Sequence, residues 1–359
     1  MPPKLGATAP VLPFGGGRRL WSVPVTALER YHAALAGAPV DHLPCHPLTM
    51  LFAARLIGRP YRDYIMDHRV LAAGQLAVVE EFGVDFVSVI SDPCRETDDL
   101  GGAPVYFDDE APANDSRQPL LAAHGDLAQL RPPALDGGGR MADRIAGVAL
   151  LRERVGPDFP VLGWVEGPIA LAVDLRGMEA LMLDLIDAPE WVEEVFEFCV
   201  ELEIAFAQAQ IAAGADTIGV GDAAASLVGP SLYAELVLPY EQRLVDAIHA
   251  AGARVRLHVC GNVTDLVADF DRLGCDLIDI DYMCDLAHAR RHLPRTALLG
   301  NMEPTRWLLN GTPDGVYETL GECHRIAGPP FVVGAGCEVP RNTPHDNLRA
   351  MVRYAREHR

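Results

Sequence analysis

Eight short β-rich runs, separated by long amphipathic stretches, limit the possible folds more than any other feature of this chain. They are HLPCHP (42–47), DFVSVIS (85–91), VLGWVEG (161–167), DTIGVGD (216–222), RVRLHVC (254–260), DLIDIDY (276–282), TALLGNM (296–302) and FVVGAG (331–336). Helical patterns fill the intervals. PEWVEEVFEFCVELEIAFAQAQIAAG (189–214) has Pro near its start and Gly at its end, the polarity expected of a helix. GPSLYAELVLPYEQRLVDAIHAAG (229–252) carries Pro239 mid-way, which predicts a kink or a break. Strands alternating with helices make parallel β/α units, and eight is the number that closes a barrel. The rival, an open doubly wound sheet, usually carries a Gly-rich phosphate loop after its first strand, and none follows here. The expected fold is α/β: a single (β/α)8 TIM barrel over residues 21–359, preceded by a Gly- and Pro-rich arm at 1–20. Residues 101–140, rich in Pro, Gly and acids, break the alternation. As an extended loop leaving the second strand they would lie over the barrel mouth, as a lid or as a solvated excursion.

Composition excludes some partners. The formal charge is −20, and such a surface repels phosphate backbones and anionic lipid. Neither nucleic acid nor membrane is an expected partner. The opening MPPKLGATAPVLPFGGGRR has no apolar core of a secretory signal, and no apolar run reaches about 18 residues. The eight cysteines are scattered along a chain too long to need staples. A reducing cytoplasm is the expected setting, with cysteines as core filler, metal ligands or nucleophiles.

Active sites of β/α barrels are built at the C-terminal ends of the strands. Asp92 follows the second run and Glu96 lies just beyond; Glu166 closes the third, Asp222 the fourth, His258 and Cys260 the fifth. Asn301 and Glu303 follow the seventh, Cys337 the eighth. His258 and Cys260, two residues apart on a strand, point to one side. Zinc prefers tetrahedral N/S ligation, and catalytic sites use three protein ligands with one open position. Cys337, in VGAGCEVPRNTP, is the best-placed third ligand, because the flanking glycines allow close backbone approach. Strands five and eight are not neighbours, so such a ligand set would bridge the mouth. The plainer reading is a hydrogen-bonded core histidine beside a core cysteine. Cys45, Cys94 and Cys284 also fall at strand ends but lack a same-face His or Cys; Cys275 precedes its strand, and Cys199 and Cys323 read as helix core. Glu166 and Asp222 end apolar strands, where an unpaired charge is costly. Each is a fourth ligand, a proton donor, a partner of His258 or half of a salt bridge.

SDPCRETDDLGG, GWVEGPIALAVDLRG, GDAAASLVGPSLYAELVLPY, LHVCGN, GNMEPTRWLLNGTP and GAGCEVPRNTPHDNLRAMV together resemble the uroporphyrinogen decarboxylase superfamily, and within it the zinc- and corrinoid-dependent methyltransferases. The resemblance spans roughly residues 25–357, and the H-x-C…C pattern carries its most specific part. It implies a barrel whose zinc is held by His258, Cys260 and Cys337; the motif fixes no proton donor, and strand-end position alone makes Glu166 and Asp222 the expected catalytic groups and Asp92, Glu96 and Asn301 the expected substrate-facing ones. It also implies a corrinoid, as methylcobalamin on a partner protein, exchanging a methyl group with a small-molecule donor or acceptor. Zinc would activate a thiol acceptor or polarise a methylated donor. Two alternatives remain. A porphyrinogen decarboxylase shares the acid at Asp92, but its Arg-Gln…Arg clamp has no counterpart in HLPCHPLTMLFAARLIGRPYRDYI. A non-enzymatic barrel would use the same ligands in a closed structural site.

Overall fold

The computed structural model describes residues 26–359; the expected arm at 1–20 lies outside them. Seven parallel strands run in sequence order: β1 (Val87–Ser88), β2 (Val161–Glu166), β3 (Thr217–Gly221), β4 (Arg254–His258), β5 (Leu277–Ile280), β6 (Ala297–Gly300) and β7 (Phe331–Val332). The first expected strand, 42–47, is reduced to a single bridge, Cys45 to Val333. It still closes the ring. His46 N–H donates to the Val333 carbonyl (2.9 Å) and Val333 N–H to that of Pro44 (2.9 Å). On its other side Asp85 N–H donates to the Cys45 carbonyl (3.2 Å). Prolines at 44 and 47, which lack an N–H, explain why this station makes no longer ladder.

The register sorts side chains into barrel interior and helix-facing layer. Leu162, Trp164 and Glu166 of β2 stand level with Thr217, Gly219 and Gly221 of β3, which stand level with Arg254, Arg256 and His258 of β4. The interior is small and divided. Tyr31, Leu277, Ala297, Leu299 and Val332 form one apolar group; Leu48, Phe86, Ile90, Leu162 and Trp164 form another. The large core lies outside the strands, beneath the helices. Trp164 depends on its glycine neighbours: a Cβ on Gly219 would stand 2.2 Å from its ring.

The helix over 189–214 is observed as Pro189–Ala212. Pro239 produces neither a plain kink nor a gap. Pro230–Leu232 leads into a π turn at Tyr233–Val237, where Leu238 N–H reaches the Tyr233 carbonyl, and an α-helix resumes over Leu238–Ala250. A proline that cannot donate is accommodated by widening the preceding turn. The 101–140 segment crosses the mouth and is tied there. Val105 and Ala113 pair antiparallel, Arg62 N–H donates to the Asp108 carbonyl, and Arg341 donates to that of Asp109.

Candidate active site

His258 ends β4 and Cys260 follows it, while Cys337 arrives on the loop after β7. His258 Nε2 stands 3.1 Å from Cys260 Sγ and 3.8 Å from Cys337 Sγ; the two sulfurs are 3.7 Å apart. The glycines before Cys337 permit this. A Cβ on Gly336 would lie 2.6 Å from Tyr282 N, and one on Gly334 would meet Leu299. On the far side of the imidazole, Nδ1 is 2.8 Å from Asp279 Oδ2. Asp279 is itself gripped by Arg256, through Nε (2.9 Å) and Nη2 (2.9 Å). A carboxylate on Nδ1 fixes the tautomer and aims Nε2 at the sulfurs. The turn after Cys260 is pinned by Asp281, which accepts from Gly261 N–H (3.0 Å) and Met283 N–H (2.9 Å).

Charge in this corner is shared tightly. The bond from Cys260 holds the Cys337 thiol down at about 4, and the same bond pushes Cys260 well above the thiol range. Burial disfavours the charged form of His258, but Asp279 and then Cys337 outweigh it and lift the imidazole to about 10.

These three side chains open into a cavity of about 190 Å³ that Asp92, Glu166 and Glu338 also line, among Leu48, Met50, Leu51, Ile90, Pro93, Ala111 and Trp164. Glu166 and His258 are both level with Gly221, so only a glycine separates them along the wall. Glu166 accepts from Arg95 Nη2 (2.8 Å), yet burial raises its carboxyl above the usual range despite that pull. Arg95 also lies 2.8 Å from Glu96 Oε1. Burial lifts Glu96 to about 8 and Glu203, close behind, well above the ordinary range. Asp92 is held differently. Arg140 grips both its oxygens (2.9 and 2.5 Å), which overcomes burial and lowers its pKa. Burial also raises Glu338, to about 8, and its Oε1 accepts from Leu51 N–H (2.8 Å).

Of the expected site residues, the structure brings Asp92, Glu166, His258, Cys260 and Cys337 to one cavity. It places Glu96, Asp222 and Asn301 outside it. Asp222 follows inward-facing Gly221, so alternation turns its side chain to the helix layer, where Oδ1 accepts from Ala170 N–H (2.7 Å). Glu96 lies on the helix Arg95–Asp99, fully buried behind Glu166. The Asn301 amide donates to the carbonyls of Asp281 (3.3 Å) and Cys284 (2.9 Å). Cys45, Cys94 and Cys284 are buried and stay apart from the triad. A second group of possible ligands among the described residues, Asp67, His68 and Asp143, is compromised by Arg69 and Arg144, which pair with its carboxylates.

The uroporphyrinogen decarboxylase (URO-D) family model matches residues 26–358. The chain belongs to the URO-D family. Among its curated relatives, the methylcobamide:CoM methyltransferase MtbA of Methanosarcina mazei is 30% identical, over 93% of this chain and 98% of its own. The uroporphyrinogen decarboxylase of Pelobacter propionicus is 25% identical, over 90% and 96%. A solved methyltransferase structure from Methanosarcina mazei superposes with a TM-score of 0.84 at 25% identity, over 93% of this chain and 99% of that one. Within the URO-D family the chain is thus an enzyme of the methyltransferase branch. No helix among its described residues is long and apolar enough to cross a membrane.

Sequence reasoning missed four residues of this URO-D site: Asp279, Arg256, Arg95 and Glu338. Asp279 meets His258 only through the register between β4 and β5, which the sequence by itself does not show. Arg95 and Glu338 adjoin residues already singled out, but nothing local marks their direction.

Proposed function

We propose that this chain is a zinc-dependent methyltransferase that moves a methyl group between a corrinoid on a partner protein and a small-molecule thiol. The spacing of the triad carries the reading. Tetrahedral zinc with bonds of about 2.3 Å to sulfur needs its two sulfurs roughly 3.8 Å apart, and Cys260 and Cys337 stand at 3.7 Å. His258 Nε2, Cys260 Sγ and Cys337 Sγ would hold the ion, and the fourth position would face the cavity. When bound, zinc lowers the pKa of a thiol placed there.

The chain's own residues supply the rest. Asp279, clamped by Arg256, keeps the imidazole turned to the ion. Glu166, across the glycine gap, accepts the thiol proton, and the burial that raises its pKa makes it a stronger base than an exposed carboxylate. Trp164, Leu48, Met50 and Ile90 exclude water from the reacting sulfur. Asp92, neutralised by Arg140, shapes the floor. The methyl donor arrives from the open face of the barrel, where the corrinoid of the partner, named in the relatives' activity, would dock. The eight free cysteines suit a reducing cytoplasm.

A decarboxylase reading is less well supported, because no arginine among the described residues lines the cavity to bind a polycarboxylate. Methylcobalamin mixed with a small thiol and zinc-loaded protein tests the proposal. The expected result is loss of the methylcobalamin spectrum that needs zinc; decarboxylation of uroporphyrinogen in the presence of chelator would overturn it.

A further inference from the structure

The titratable lining of the cavity beside the triad is almost wholly acidic. Apart from His258, its titratable lining consists of carboxyl groups (Asp92, Glu166, Glu338), the two cysteines and Tyr61; neither Lys nor Arg reaches it among the described residues. The nearest guanidiniums stand behind the wall and are already used, Arg140 on Asp92 and Arg95 on Glu166. The remaining wall is apolar, with the Trp164 indole lying across Gly219 and Gly221. Arg55, Arg59 and Arg341 line an adjoining outer groove that shares Leu51 and Tyr61 with the cavity, but they do not line the cavity itself. Two cysteine thiolates with a neutral imidazole would cancel the charge of a divalent ion. The metal would therefore leave no excess positive charge for an acidic substituent. An anionic group taken into this space would lose water and gain no counter-charge. An ammonium would meet the free oxygen of Glu338, the carboxyl of Glu166 and an indole face.

We infer that the thiol accepted here is a short aminothiol, whose ammonium lies against Glu338, Glu166 and Trp164 while its sulfur faces Cys260 and Cys337. This rests on the methyltransferase reading. The size agrees, since a cavity of about 150 Å³ holds benzene and this one measures about 190 Å³. The step balances with the partner's methylcorrinoid as donor: the S–H bond breaks and its proton passes to Glu166, the electron pair left on sulfur makes the S–CH3 bond, and the methyl–cobalt bond would break with its electron pair left on the corrinoid.

Calorimetric titration of the zinc-loaded full chain with three thiols of equal length tests the inference: 2-aminoethanethiol, 2-mercaptoethanol and 2-mercaptoethanesulfonate. The aminothiol is expected to bind about 10-fold tighter than the alcohol and the sulfonate weakest. Glu338→Gln should cut the advantage of the amine and leave the alcohol unchanged. If that variant loses zinc, the ranking on the unaltered protein decides alone. An aminothiol no tighter than the alcohol, or a sulfonate that matches or exceeds it, overturns the inference. Absence of zinc-dependent binding by any of the three would instead remove the methyltransferase reading beneath it.

Discussion

The two sides of the cavity handle buried charge in opposite ways. On the β4–β5 side every charge has a partner of fixed geometry: Arg256 on Asp279, Asp279 on His258, His258 on the cysteines. On the β1–β3 side carboxyl groups outnumber cations. Arg95 is surrounded by Glu96, Glu166 and Glu203, so one guanidinium faces three buried carboxyl groups. A chain of exact pairs holds a rigid ligand set and offers no protons to spare. A surplus of buried acids does the reverse, since its members cannot all ionise in so little dielectric. On the proposed reading, the contrast gives metal holding to one wall and proton holding to the other.

The largest effects are expected where the paired side is cut. Cys337→Ala or Cys260→Ala should lower bound zinc from about one per chain to a small fraction, measured by elemental analysis, and abolish transfer. Full zinc in either variant would remove that residue from the ligand set. Asp279→Asn is next. It releases the imidazole and strands Arg256, so zinc affinity should weaken roughly 10–100-fold, with a fall in Tm from the unpaired buried guanidinium. Unchanged affinity would break the claim that this wall works through orientation.

On the acidic wall, Glu166→Gln should lower kcat by about 10²–10⁴ and flatten the acidic limb of the pH profile, while zinc stays bound. Equal loss of zinc would erase the division between the walls. Glu203→Gln should act on stability instead. A carboxyl group whose pKa is raised by folding binds its proton more tightly when folded, so its contribution is intact below about 4.5 and declines as pH rises toward its folded value. The variant should therefore melt a few degrees higher than the unaltered protein near pH 8 and show little difference near pH 4.5. The smallest effect belongs to Asp222→Asn, which lies outside the cavity: zinc content unchanged and transfer within about twofold.

Seven of the eight expected strands appear, because hydrophobic runs bounded by turn residues are local signals. The eighth, around Cys45, is interrupted by prolines and survives through two neighbours that only the closed ring supplies. The site was legible where it depended on strand parity, as for Glu166 and His258. One residue of parity also accounts for Asp222, which follows the inward-facing Gly221 at the end of β3 and so faces the helices. Asp279 and Arg256 stayed hidden because their roles depend on register between strands, which single-chain periodicity does not contain. Glu96 and Asn301 follow strand ends as expected, but neighbouring backbone and burial turn their side chains away from the cavity.

X-ray absorption on the zinc-loaded protein, with and without added small thiol, tests the central claim most directly. The account predicts two sulfurs at about 2.3 Å with one imidazole and one light atom, rising to three sulfurs when thiol is added. A shell already closed by four protein ligands and indifferent to thiol, or one without two sulfurs, would contradict it.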